Sequence, residues 1–197
     1  LLWGRETITD RLDDLKFLIS ATAFFQVNPA QTENLYRRAV QYAGLTKQDT
    51  VVDVYCGTGT ITLFLARQAS QAVGIEINPQ AIRDARRNAR LNGIENVKFI
   101  AGDAERIMPE LYGKGLRPQV IVVDPPRSGC ERPVLETISR LQPRRVVYIS
   151  CNPATLARDL AVLQEFGYIT REIQPVDMFP QTAHVECTVL LKRKHNP

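Results

Sequence analysis

Short, β-branched apolar runs alternate along this sequence with segments of helical periodicity, and that alternation constrains the fold more than any other feature. Residues 50–55, 72–76, 119–124 and 145–150 read as strands, and a fifth run, 97–101, falls between the second and third of them. Between them, Ile82, Ala85 and Ala89 share one face of a helix whose other faces carry Arg83, Arg86, Arg87 and Arg90. Leu156, Leu160 and Leu163 also recur at helical spacing. Strands apolar on both faces and separated by helices predict an α/β protein with a parallel sheet covered on both sides.

The flanks extend this unit. Residues 29–43 read as a helix with Asn28 as N-cap and Pro29 in its first position. Residues 5–27 read as a β-hairpin turning at Asp13-Asp14, and two further strands are expected at about 168–175 and 185–192. The expected sheet therefore has seven strands, mostly parallel. The expected division is a small hairpin element over 1–27 and a larger domain over 28–197. The 197 residues suit one core of this size, and there is no repeat or low-complexity stretch. The chain opens Leu1-Leu2-Trp3, so a fragment of a longer protein is expected.

Composition excludes several classes. Hydrophobic residues make up 44% and charged residues 23%, the balance of a globular chain. No apolar run approaches the ~18 residues that span a bilayer, and no signal pattern opens the chain. Cys56, Cys130, Cys151 and Cys187 lack paired metal-ligand spacing and the density of a disulfide scaffold, so a reducing, cytoplasmic setting is expected. The net charge of +4 is ordinary, although most of the basic residues are arginine, the cation that pairs best with phosphate. No obligate protein partner and no membrane association are expected.

Asp53-Val-Tyr-Cys-Gly57-Thr-Gly59-Thr60 leaves the first strand of the unit and enters a helix. Glycines there let the backbone turn tightly and approach a ligand. Glu76 ends the next strand, where a carboxylate can accept from both hydroxyls of a ribose. A structural turn with an acid at the surface is the plainer alternative. A dinucleotide fingerprint needs a third glycine soon after Gly59, and Ile61-Thr-Leu-Phe stands there instead, so S-adenosylmethionine fits better than NAD. Asp103 follows the next strand, where it can reach an adenine edge, cap the following helix, or do both.

Two segments point to chemistry. Asp124-Pro-Pro-Arg-Ser-Gly129 stiffens the loop after one strand and puts an acid at its carboxyl end. Ser150-Cys151-Asn152-Pro153 puts a thiol at a helix N-terminus, where unpaired amides are expected to lower its pKa and make it a nucleophile. Cys56, Cys130 and Cys187 read as packing. Glu186 opens an otherwise apolar strand; it either faces solvent or, facing the same cleft, is desolvated enough to act as a base.

Five motifs in order make the chain recognisable: Phe24-Phe-Gln-Val-Asn28, Asp53 to Gly59, Asp124 to Gly129, Ser150 to Pro153 and Asp177-Met-Phe-Pro-Gln-Thr-Ala-His-Val-Glu186. Over residues 2–194 the sequence resembles the RNA uracil-5-methyltransferase family, and within it the bacterial 23S ribosomal RNA type. The resemblance implies a Rossmann-like, class I S-adenosylmethionine-dependent fold and an RNA substrate, with 23S rRNA the expected target. It implies that Gln26, Tyr55, Gly57, Glu76, Asp103 and Asp124 hold the cofactor, that Cys151 attacks the base and that Glu186 removes a proton. Thr60 stands where relatives often carry asparagine and is given no role. Many relatives add an RNA-binding β-barrel and a cysteine cluster for an iron–sulfur centre; the four cysteines here cannot supply one, so only the catalytic portion is expected.

The alternatives are transfer-RNA uridine methylation by the same chemistry, an amino-directed nucleic-acid methyltransferase, a cytosine-5 enzyme, and a non-catalytic module that binds S-adenosylmethionine or RNA. Amino-directed enzymes usually place an aromatic residue after the proline pair, and cytosine-5 enzymes commonly place a cysteine there; Arg127 is neither. Arg127, Phe179 and His184 are candidates for a pocket around a base swung out of its stack.

Overall fold

The computed structural model describes residues 4, 6–21 and 23–194. Residues 1–3, 5, 22 and 195–197, where the opening Leu-Leu-Trp and the chain end fall, lie outside the described residues. In chain order the elements are β1 (Thr7–Leu12), β2 (Leu15–Ser20), α1 (Pro29–Ala43), β3 (Thr50–Val54), α2 (Thr60–Ala66), β4 (Gln71–Glu76), α3 (Pro79–Leu91) and β5 (Val97–Ala101). Then follow α4 (Ala104–Gly113), β6 (Val120–Val123), α5 (Arg132–Leu141), β7 (Arg145–Ser150), α6 (Pro153–Glu165), β8 (Tyr168–Val176) and β9 (Glu186–Arg193).

Seven strands form one sheet in the order β5-β4-β3-β6-β7-β9-β8. The first five run parallel, and β9 lies antiparallel to both β7 and β8. Alternating side chains feed two cores. Val51, Val122, Val147 and Leu190 join one with α1, α2 and α3, while Val52, Ile121, Tyr148 and Val189 join the other with α4, α5 and α6. Three helices start on the dipeptide Asn-Pro. Asn28, Asn78 and Asn152 each accept a bond from a first-turn amide, and the proline that follows needs no donor.

The β1–β2 hairpin forms its own two-stranded sheet, and its Leu12, Leu15, Phe17 and Ile19 enter the first core. Its open edge is satisfied by a helix. Asp84 and Asn88 of α3, and Asn92 at its C-cap, accept from the amides of Ser20, Leu18 and Lys16. Among the described residues, no helix is long and apolar enough to cross a membrane.

The chain goes from β3 outward to β4 and β5, then returns to β6 on the other side of β3. That reversal opens a crevice beyond the carboxyl ends of the strands, where ligands bind in sheets of this kind.

Candidate active site

A cleft of about 680 Å³ occupies that crevice. Gln26, Tyr55, Gly57, Glu76, Asp103, Asp124, Cys151 and Glu186 all stand on its wall, and so do Arg127, Phe179 and His184. Topology explains the convergence. Tyr55, Asp124 and Cys151 are the first residues past the ends of β3, β6 and β7, Glu76 is the last of β4, and Asp103 lies two beyond β5.

The glycine turn is built from left-handed residues, with φ of 70° at Tyr55, 53° at Gly57 and 80° at Gly59. Only Gly59 is held to glycine by crowding, since a Cβ there would lie 2.8 Å from the Phe99 ring. Glu76 ties the turn down. It accepts from Gly57 N at 3.2 Å and from Asn78 N at 2.8 Å, which leaves lone pairs toward the cleft. Asp103 does cap α4, accepting from Glu105 N, and it lines the cleft as well. Its hydrogen bond to Glu105, more than burial, lifts the Glu105 carboxyl to about 7.

Gln26 is 8% exposed, and its Oε1 finds no partner among the described residues. A buried acceptor on a cleft wall requires a donor, and a ligand ammonium or N–H meets that need. Asp124, half-buried and close to Glu186, is raised to about 7, with desolvation the larger cause.

Cys151 and Glu186 come together through strand register. Ser150 pairs with Cys187 across the antiparallel β7–β9 ladder, so the next position out sets Cys151 against Glu186. Glu186 is 4% exposed, and burial raises its pKa while Arg127 opposes the rise. The thiol is half-buried and faces the cleft.

The helix N-terminus does not lower the thiol pKa as the sequence predicts. Burial first, then Glu186 and Asp124, raise it, and Arg127 opposes them. Cys151 precedes the cap, and Asn152 already satisfies Ala154 N, so the sulfur lies outside the first turn, where the helix field is concentrated. Cys56, Cys130 and Cys187 are buried, in line with a packing role.

Arg127 is positioned through its backbone. Asn152 Nδ2 and Thr155 Oγ1 both donate to its carbonyl at 3.1 Å, joining the proline loop to the helix that follows the thiol. Asp159 fastens the same loop from below, accepting from Cys130 N and Tyr148 Oη while paired with Arg158. Asp159 carried no readable signal, because a polar residue in a helix looks the same whether it faces water or a buried amide. Phe24, 74% exposed, and Ile77, 65% exposed, also line the cleft. Nothing in the sequence separates such apolar rim residues from core ones. Among the described residues, no group of three or more His, Cys, Asp or Glu is placed to hold a metal.

Residues 5–194 match the tRNA (uracil-5-)-methyltransferase family. The chain belongs to that family. An uncharacterized RNA methyltransferase of Halalkalibacterium halodurans is 58% identical over 99% of this chain and 43% of its own length. A second uncharacterized RNA methyltransferase, from Clostridium acetobutylicum, is 56% identical over 98% of this chain and 42% of its own. The chain thus spans less than half the length of these curated relatives. Among solved structures, the tRNA (uracil-54, C5)-methyltransferase of Pyrococcus abyssi, in complex with S-adenosyl-L-homocysteine, matches with a TM-score of 0.82 and 35% identity, over 96% of this chain and 45% of that one. The fold of this family member is accordingly the Rossmann-like class I methyltransferase fold.

Proposed function

We propose that this chain binds S-adenosylmethionine and methylates carbon-5 of a uridine in RNA, using Cys151 as nucleophile and Glu186 as base. The register that sets the thiol against a buried carboxyl on the wall of the cleft carries this reading. The family match and the ligand named for the Pyrococcus structure support the cofactor. The donor set fits that cofactor. Glu76 offers acceptors to ribose hydroxyls, Asp103 to an adenine edge, and the orphan oxygen of Gln26 to an ammonium, with Tyr55, Gly57 and Asp124 on the same wall.

Carbon-5 of uracil is too poor a nucleophile to take a methyl group unaided. Cys151 Sγ, as thiolate, adds to carbon-6; the ring π electrons move toward the carbonyl and leave carbon-5 electron-rich. S-adenosylmethionine, when bound, supplies an electrophilic methyl group on a sulfonium. Glu186 then takes the carbon-5 proton, the C5–C6 double bond re-forms and the C6–S bond breaks, its electron pair returning to sulfur as the thiolate. A buried carboxyl of raised pKa is a stronger base than an exposed one and suits this step.

The proposed target is 23S rRNA. A transfer-RNA uridine is the second reading, favoured by the substrate named for the Pyrococcus neighbour. Mapping 5-methyluridine in both RNAs, after incubation with the longer protein that contains this chain, decides between them. Cys151→Ala tests the chemistry. Methylation should vanish while S-adenosylmethionine binding stays within about twofold, and undiminished turnover would refute the assignment.

A further inference from the structure

The opposite end of the sheet holds a second pocket, of about 620 Å³, that the methyl-transfer chemistry leaves unused. Arg144, Arg145, Arg171, Lys192, Arg193 and Lys194 line it around Ile169, with no acidic residue among the lining. Three strands converge there. Arg145 opens β7, Lys192 and Arg193 end β9, and Arg171 sits at the irregularity between Thr170 and Glu172 of β8, the kind of bulge that re-aims a side chain.

The arrangement is unfavourable for a surface with no partner. Arg145 lies directly opposite Lys192 in the β7–β9 ladder, where like charges destabilise a sheet. Three of the cations are fixed by protein acceptors: Arg144 by Asp49, Arg145 by the Tyr42 carbonyl and Arg193 by Gln142. Arg171, Lys192 and Lys194 have no side-chain hydrogen bond or ion pair among the described residues. The arginines of α3 make a useful contrast. They are the solvated face of an amphipathic helix, Arg83 is bonded to Gln80, and the groove beside them includes Glu95.

We propose that this pocket binds phosphate groups of the RNA backbone, anchoring the substrate one strand length, roughly 20 Å, from the thiol. The inference rests on RNA being the substrate and deepens that reading. Five cations from the three strands and the residue after β9, none paired with a carboxylate among the described residues, provide the charge that a polyanion would neutralise, and the fixed arginines provide a set geometry for it.

The test uses a uridine-containing RNA hairpin long enough to reach both ends of the sheet, with binding followed by anisotropy over a range of KCl concentrations. The triple variant Arg171→Gln/Lys192→Gln/Lys194→Gln should weaken binding about tenfold and reduce the slope of log affinity against log salt by about 2 to 3. The control Arg83→Gln/Arg87→Gln/Arg90→Gln removes equal charge and should leave affinity within about twofold. Equal losses in both variants, or none in the first, overturn the proposal. So does saturable displacement of RNA by inorganic phosphate at constant ionic strength, which marks a small-anion site instead. The first variant should melt no lower than the parent, because repulsion has been relieved; Arg171→Gln alone gives a smaller loss in the same direction if the triple variant folds poorly. A protein that shows the slope change yet methylates no uridine keeps the pocket and loses the catalytic reading; the converse result does the reverse.

Discussion

In the free protein the Cys151 thiol is partly desolvated and faces two carboxyl groups and one guanidinium, and burial together with the carboxyls outweighs the guanidinium. Iodoacetamide should therefore alkylate it slowly at neutral pH, the rate climbing only above the ordinary thiol range of ~8.5. Glu186→Gln removes a negative neighbour and should shift the midpoint down, whereas Arg127→Ala removes the opposing cation and should shift it up. Alkylation rates followed by mass spectrometry against pH check both directions, and identical midpoints in the two variants would contradict the geometry. The first of these variants has a second use. With the base gone, elimination fails, so Glu186→Gln incubated with RNA and S-adenosylmethionine should accumulate a methylated protein–RNA adduct visible as a denaturant-resistant gel shift. Ordinary multiple turnover without adduct would remove Glu186 from the mechanism. The placement of Cys151 was legible because an apolar run followed by Ser-Cys-Asn-Pro reads as strand end and helix start. The direction of its pKa shift was not, because Asp124 and Glu186 become its neighbours only once β6, β7 and β9 lie side by side.

At the scale of elements, the docking of the hairpin on α3 shows what apolar periodicity leaves out. Ile82, Ala85 and Ala89 read correctly as the buried face. Asp84, Asn88 and Asn92, one turn apart, look like solvent-facing residues, yet they form a polar ladder along the edge of β2. Their partners are backbone groups, which have no sequence signature. Asn88 is fully buried and makes the most of the arrangement, accepting from Leu18 N at 2.8 Å and donating to the carbonyls of Leu18 and Thr58. The Thr58 bond reaches the glycine turn, so one side chain joins the hairpin to the cofactor loop. Asn88→Ala leaves buried backbone groups unpaired and should cost about 1–3 kcal/mol in urea unfolding. It should also weaken S-adenosylmethionine binding without touching the cleft wall. Asn92→Ala, at a wetter position, should cost less; equal losses at the two sites would argue against burial as the cause. The Asn-Pro helix starts were easier to read, since cap and proline adjoin in sequence.

Across the whole molecule, acid groups set the pH dependence of stability. Asp53, sealed beneath the glycine turn beside Thr62 with one oxygen unpartnered, is raised to about 8 by burial, and Asp124 is raised to about 7. Glu105 at about 7 and Glu186 shift the same way. Each of these groups keeps its proton in the folded chain after the unfolded chain has lost it, near pH 4. Between about pH 4 and 8 the folded state thus binds more protons, and stability falls as pH rises through that window. Asp49 works in the opposite sense. Arg144 holds it at about 2, so its contribution is present above the unfolded value and is lost only in stronger acid, outside the window. Melting temperature at constant ionic strength should therefore decline from pH 5 to pH 8, and Asp53→Asn, which keeps the shape of the side chain without the charge, should flatten much of the decline. The same linkage predicts how the proposed cofactor acts. A cation entering beside Asp124 favours the ionised carboxyl, so S-adenosylmethionine should raise the melting temperature more at pH 8 than at pH 6. A melting temperature that climbs from pH 5 to pH 8, or a cofactor effect larger in acid, would mean that these carboxyls are already ionised in the free protein and that burial raises them less than this cleft implies.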